Sequence, residues 1–151
     1  LQYGSATGAF GTFATFGVGT MIQAGGYFLV SAGNAGAVGA ALPTPDFVGA
    51  TSTNIGAING KIQLVDGTGT TVDLVGYGTA TTFEGTAAAP AGSNTTSLNR
   101  TAGIDTDNNN VDFTTGMPSP MASVPEPATY MLFGIGLLAC AQRFRSRSKR
   151  K

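Results

Sequence analysis

The residues best suited to chemistry lie in one polar segment, residues 105–112. Its first, third and fifth residues carry side-chain oxygens, which is the spacing with which a calcium-binding loop begins. The glycine that an EF-hand needs at its sixth position is absent, and Gly116 stands where its twelfth position needs glutamate. Segments rich in Asp and Asn also form turns in which the side chains accept hydrogen bonds from nearby backbone N–H groups. We predict such a turn and keep a Ca²⁺ site as the alternative.

Arg100 and Lys61 are the two basic residues that precede residue 125. Seven acidic residues share this part of the chain, so its formal net charge is −5. This balance argues against a nucleic-acid-binding surface, which requires clustered Lys and Arg. We predict that Arg100 forms an ion pair with Asp105 or Asp107, and the alternative is that it binds an acidic group.

Few residue combinations in the chain fit catalysis. The chain has no histidine, which excludes Ser-His-Asp and Cys-His nucleophilic catalysis and every His-ligated metal site. Glu84 and Asp73 would be the candidate pair for a glycosidase, but no pattern sets their separation. Gly67-Thr68-Gly69 and Gly76-Tyr77-Gly78 lack the spacing of phosphate-binding loops, so we interpret both as turns. We therefore predict a protein that is not an enzyme and carries no cofactor.

The elements around these residues are predicted to be strands, because Gly and Thr are abundant and charges are few. The strongest local signal is a hairpin. Residues 61–66 alternate, with Ile62 and Leu64 on one face; Asp66-Gly67-Thr68-Gly69 forms the turn; and residues 71–75 return. Further strands are predicted at 1–4, 18–22, 26–32 (with a buried run at 27–30) and 97–100, with a surface loop at 33–57.

The end of the chain has a different character. Residues 128–141 carry no charge, but as a helix they would rise only about 21 Å, against roughly 30 Å for the hydrocarbon core of a bilayer. Basic side chains that follow can reach the lipid headgroups and extend a short span, and they favour the cytoplasmic side. We predict a transmembrane helix at about 128–142; a C-terminal helix packed on the domain is the alternative. The flanking basic residues are Arg143, Arg145, Arg147, Lys149, Arg150 and Lys151.

Immediately before this helix stand Pro125, Glu126 and Pro127. The triplet, the apolar run and the basic end, in this order, resemble a PEP-CTERM sorting signal. The resemblance implies a Gram-negative bacterium that makes extracellular polysaccharide, in which a membrane-embedded exosortase recognises the triplet and removes the helix. Prolines also keep the junction extended, as a protease substrate must be. The single cysteine, Cys140, lies in the apolar run, so no intrachain disulfide can form.

The rest of the chain resembles the bacterial branch of the lamin tail domain, an immunoglobulin-like β-sandwich. The resemblance implies a mainly β fold that lacks its first strands, and together with the absence of a signal peptide it predicts an N-terminally truncated chain. The segments that carry the resemblance are Leu1-Gln2-Tyr3-Gly4-Ser5-Ala6, Ile22-Gln23-Ala24-Gly25-Gly26-Tyr27-Phe28-Leu29-Val30, Gly60-Lys61-Ile62-Gln63-Leu64, Val72-Asp73-Leu74-Val75-Gly76-Tyr77-Gly78, Ser97-Leu98-Asn99-Arg100, Asp105-Thr106-Asp107-Asn108-Asn109 and Asp112-Phe113.

These observations predict a lamin-tail-like domain at 1–116, a linker at 117–124 and a sorting signal at 125–151. The precursor is expected in the inner membrane with its C-terminus in the cytoplasm, and the processed protein at the cell surface or outside the cell. Its expected partners are exosortase, the membrane and exopolysaccharide, with a structural or binding role. The alternatives are an accessory domain of a longer secreted nuclease or phosphatase, and a carbohydrate-binding module that stacks sugars on Tyr3, Tyr27 or Tyr77.

Overall fold

A computed structural model describes residues 1–33 and 43–120. These residues are mainly β, which confirms the predicted class, with one 3₁₀ turn at Thr101–Gly103 and one short helix, α1 (Asn109–Asp112). The strands are β1 (Gln2–Gly4), β2 (Gly11–Thr12), β3 (Val30–Ser31), β4 (Phe47–Val48), β5 (Gly60–Val65), β6 (Thr71–Tyr77), β7 (Ser97–Arg100) and β8 (Phe113–Gly116).

The described strands form three small sheets. The largest has four antiparallel strands in the order β2-β1-β5-β6. Strands β3 and β4 pair in parallel, and β7 pairs with β8 in an antiparallel arrangement. The first strand of the chain therefore pairs with β5, more than fifty residues away, because Gln2 lies opposite Gln63.

The β5–β6 hairpin is confirmed as predicted. Gly60 lies opposite Tyr77, and the pairing continues to the turn, with one irregularity between Leu64 and Val65. The Asp66 carboxylate holds the turn, because its Oδ1 atom accepts hydrogen bonds from the N–H groups of Thr68 (2.8 Å) and Thr70 (2.9 Å). These bonds and one from the Thr68 hydroxyl hold the pKa of Asp66 below its usual value. A short polar side chain thus closes the turn that Gly67 and Gly69 allow.

The predicted alternation puts Lys61 and Leu64 on opposite faces of β5, and the structure buries Lys61. Lys61 is buried, whereas Leu64 on the opposite face is exposed. The Lys61 ammonium donates to the Thr82 hydroxyl (3.2 Å) and lies 4.9 Å from the centre of the Phe10 ring. Phe10, which precedes the hairpin in the chain, and Thr82, which follows it, cover the lysine. The alternating pattern of the hairpin itself does not reveal this cover.

The strand prediction is wrong at 18–22, and within the strand predicted at 26–32 only Val30–Ser31 forms one, β3. Two turns fold this part of the chain instead, closed by bonds from Thr20 N–H to the Gly17 carbonyl and from Gly26 N–H to the Gln23 carbonyl. Strand β4 lies within the range predicted as a loop, of which residues 34–42 are outside the described ranges. The apolar residues of this segment do not alternate with polar ones, so their abundance alone was a misleading indication of strands.

The core of the described residues is small. Tyr77, Ala89 and Phe113 are buried together, with Val75 and Leu98 packed against them. The Tyr77 hydroxyl donates to the Gly56 carbonyl (2.6 Å), and the Tyr3 hydroxyl accepts from the Gly56 N–H (2.8 Å). Two phenols from β1 and β6, the strands on either side of β5, thus hold one loop residue, and burial raises the pKa of Tyr77.

The predicted transmembrane helix at 128–142 and the sorting signal around it lie outside the described residues. Within the described ranges, every helix is too short to cross a membrane.

Candidate functional site

The polar segment 105–112 packs against the outer edge of β6, and Asn109 makes the central contact. This side chain is completely buried. Its amide oxygen accepts hydrogen bonds from the N–H groups of Gly76 (2.7 Å) and Glu84 (3.2 Å), and its amide nitrogen donates to the Leu74 carbonyl (2.9 Å). One side-chain amide therefore satisfies backbone groups that a neighbouring strand would otherwise pair, and it covers an edge that would be open.

Asp112 organises the polar segment from within. Its carboxylate accepts hydrogen bonds from the Thr106 hydroxyl (2.6 Å), the Thr106 N–H (3.0 Å) and the Asn108 N–H (3.2 Å). These bonds hold the pKa of Asp112 below its usual value, with smaller help from the Arg100 charge. Asp107 adopts a left-handed conformation with φ of 54°, which Asp tolerates better than most residues. The predicted turn is confirmed.

Arg100 joins this turn to the sheet. Its guanidinium lies 2.7 Å from the Asp105 carboxylate and 3.5 Å from that of Asp73, and it stacks 4.7 Å from the centre of the Phe113 ring. The contact with Asp105 is an ion pair without hydrogen-bond geometry, since the buried Nη1 atom makes no hydrogen bond. The predicted pairing with Asp105 is confirmed. Among the described acidic residues, the other ion-pair partners of Arg100 are Asp73 and Asp112, and not Asp107.

Three carboxylates come close together on the surface above this turn. Oxygens of Glu84, Asp105 and Asp107 lie within 4.8 Å of one another. Partial burial, followed by the charges of Asp73 and Asp105, raises the pKa of Glu84, while hydrogen bonds to its carboxylate oppose the shift. Oxygen ligands of this kind suit Ca²⁺, but Asp112 of the predicted calcium spacing is committed to backbone bonds. The calcium alternative for residues 105–112 stays a prediction.

Glu84 and Asp73, the candidate glycosidase pair, both make contacts that stabilise the fold. The Glu84 carboxylate accepts from the Leu74 N–H (3.0 Å) and from the Asn109 amide (3.2 Å), and Asp73 contacts Arg100. These partners give both groups a structural task. Of the tyrosines considered for sugar stacking, Tyr77 is buried and Tyr27 is exposed, and the hydroxyls of Tyr3 and Tyr77 bind Gly56.

A cleft of about 380 Å³ opens between the β5–β6 hairpin and the β7–β8 pair. Ile62, Val75, Leu98 and Phe113 contribute apolar side chains to its wall, and Ser93 and Thr96 contribute hydroxyls. Such a lining suits an apolar group with a polar edge.

The sequence did not identify Asn109 as the buried centre of this site. Three consecutive asparagines, at positions 108 to 110, offer the same chemistry, and burial alone distinguishes the middle one. The available signal was the position of this run just before Phe113, which enters the core. The predicted sorting residues, Pro125, Glu126 and Pro127 with the basic end, lie outside the described residues.

Comparison with known proteins gives one match. Residues 123–150 match the family model for the PEP-CTERM protein-sorting motif. This confirms the resemblance predicted for the end of the chain: the protein is exported and sorted by an exosortase, and its precursor is anchored in the membrane before it reaches the cell surface. Searches of curated proteins and of solved structures found no match to the chain. The lamin-tail resemblance of the preceding residues stays a prediction.

Proposed function

We propose that this chain is a non-enzymatic surface or matrix protein whose β domain lies outside the membrane while its basic end, residues 143–151, stays in the cytoplasm. The observation that carries the proposal is the sorting motif at 123–150. In this arrangement the apolar run holds the domain at the bilayer until exosortase acts at Pro125-Glu126-Pro127.

The charge distribution supports this orientation. Six of the eight Lys and Arg residues lie in the last nine positions, beside the apolar run, and such clusters favour the cytoplasmic side of a membrane. The part before the motif carries a net charge of −5 and would be on the outside. Removal of the tail would therefore release an acidic product.

The non-enzymatic role is supported by the partners of the polar side chains. Asn109, Glu84 and Asp112 all bind backbone groups of the domain itself, and Arg100 is surrounded by acidic partners. A catalytic group needs a free atom directed at a substrate. Binding or structural work, with exopolysaccharide as the candidate partner, fits a domain whose polar groups are used in this way. The immunoglobulin-like lamin-tail fold is part of the same proposal.

The proposal is tested by expressing the gene in its host with and without the exosortase and measuring the intact mass of the protein. We expect loss of the C-terminal segment only where exosortase is present. The same full-length mass in both strains would overturn the proposal.

A matched pair of variants separates motif recognition from a general effect of proline. Pro125→Ala with Pro127→Ala removes both prolines of the motif, and we expect the protein to keep its full mass. Pro118→Ala with Pro120→Ala changes two prolines at the same spacing in the preceding linker and should leave processing intact. Equal processing of both variants would show that the Pro-Glu-Pro triplet is not what exosortase recognises.

A further inference from the structure

An apolar loop, residues 17–27, projects from the described domain on an aromatic base. Phe16 and Phe28, which flank it, pack edge to face with ring centres 5.6 Å apart, and Phe47 packs against Phe16 at 5.1 Å. Two internal turns, at residues 17–20 and 23–26, shorten the loop. The packed rings therefore bring residues 16 and 28 together, and the segment between them forms one protrusion.

The tip of the apolar loop exposes large apolar side chains to solvent. Val18 is fully exposed, and Met21, Ile22 and Tyr27 are 73, 60 and 48% exposed. A single exposed apolar residue needs no explanation, but four within ten residues form a patch of the kind that marks an interaction site.

The apolar loop lies in a stretch of sequence without charged side chains. Residues 1–45 contain no Asp, Glu, Lys or Arg, whereas all seven acidic residues of the domain lie between positions 46 and 112. The nearest of them in the chain, Asp46, accepts a hydrogen bond from the Leu29 N–H at the base of the loop (2.7 Å). The residues of the apolar loop therefore add no charge repulsion of their own when they approach an anionic lipid surface.

We propose that the apolar loop docks into the lipid bilayer that anchors the precursor. Val18, Met21 and Ile22 would enter the boundary between headgroups and acyl chains. Tyr27, with an apolar ring and a polar hydroxyl, has the character of an interfacial anchor. The docking rests on the proposed function, because the sorting signal supplies the membrane.

The length of the linker makes this contact accessible. The eleven residues from Met117 to Pro127 span at most about 36 Å when extended. A domain of this size has a radius of gyration of about 13 Å, and so a diameter of roughly 35 Å. The tether thus allows any face of the domain to meet the bilayer and keeps that face near it at a high effective concentration.

A second copy of the chain is the less favoured occupant. A stable interface between proteins uses about 20–30 residues on each side, whereas the apolar loop has eleven and exposes four large apolar side chains. Insertion into lipid requires no complementary surface, so a small protrusion is sufficient.

The chain contains no tryptophan, so one introduced tryptophan reports on a single position. We choose Ile22→Trp in the apolar loop and Val72→Trp on β6 as its matched control, since these two side chains are 60 and 62% exposed. Each full-length variant is incorporated into phosphatidylcholine vesicles with and without phosphatidylcholine brominated on its acyl chains. We expect bromine to quench Ile22→Trp at least about twofold more strongly than Val72→Trp, because only the former reaches the acyl-chain boundary.

Equal quenching at the two positions would overturn the docking. So would an Ile22→Trp emission that shifts to the blue with protein concentration without being quenched by bromine, since that result identifies a second copy as the occupant.

Sedimentation of the same vesicles separates this inference from the proposed function. If the chain sediments with the vesicles and Ile22→Trp is not quenched, the anchor holds and the docking is wrong. If the chain stays in the supernatant, neither the tail nor the loop binds lipid, and both proposals fail.

Discussion

The two ends of the described domain are stabilised in different ways. Residues 1–33 contain no charged side chain, and their strands are two or three residues long. Residues 60–116 contain the six- and seven-residue strands of the hairpin, and all the buried polar side chains of the described ranges, Lys61, Asn109 and Asp112. Residues 1–33 pack aromatic rings and expose apolar side chains, whereas residues 60–116 are stabilised by buried hydrogen bonds.

This difference shows how a glycine-rich chain with a small core can hold a fold. Backbone groups at a sheet edge cost free energy when they are buried without hydrogen-bond partners. A core with few large buried side chains offers little to offset that cost. Asn109 and Glu84 supply that pairing for β6. The first region contains the opposite edge strand, β2, which is only two residues long, and its apolar loop is exposed.

The largest effect expected on stability is that of Asn109→Ala. It leaves the Gly76 N–H and the Leu74 carbonyl buried without partners, and we expect the free energy of unfolding to fall by about 2–4 kcal/mol. Urea unfolding followed by circular dichroism measures the loss. The control is Asn110→Ala in the same helix, which is exposed and should change stability by less than about 0.5 kcal/mol. Equal losses in the two variants would contradict the role of Asn109.

An intermediate effect is expected from pH. Hydrogen bonds lower the pKa of Asp112 in the folded state, so its contribution to stability is present above about pH 5 and is lost as the pH falls through the folded value. The raised pKa of Glu84 acts in the opposite sense, because its protonation at low pH favours the folded state. We expect the melting temperature to fall between about pH 5 and 3, and to fall less in Asp112→Asn.

Thr106→Val is the control for this profile, because it removes the 2.6 Å bond from the hydroxyl and keeps the Asp112 carboxylate. It should flatten the profile in the same direction as Asp112→Asn. Profiles that match the wild type in both variants would show that the polar segment does not set the acid stability.

The smallest effect is expected from Ile22→Ser in the apolar loop. The side chain is already exposed, so the free energy of unfolding should change by less than about 0.5 kcal/mol. The same substitution at Ile62, which lines the cleft on β5, should cost about 1–2 kcal/mol. A large loss at Ile22 would show that the apolar loop is part of the core and would remove the contrast between the two regions.

Local patterns predicted the parts of this fold that depend on neighbouring residues. The hairpin followed from alternation and a turn dipeptide, and the turn at 105–112 followed from its Asp and Asn content. The same reasoning failed at 18–29, where two turns and an aromatic base stand in place of strands. Nor did it show that Lys61 is buried, because its cover, Phe10 and Thr82, comes from outside the hairpin.

The sorting motif could be read without any structure, because it consists of residue types in a continuous order: a triplet, an apolar run and a basic end. The place of Asn109 at the edge of β6 was decided only when residues more than thirty positions apart came together. The exposure of the apolar loop was decided in the same way, since no local pattern distinguishes an apolar side chain that is buried from one that is left in solvent. The order of neighbouring residues determines the sorting motif, whereas long-range packing determines which polar side chains are buried and which apolar side chains remain exposed.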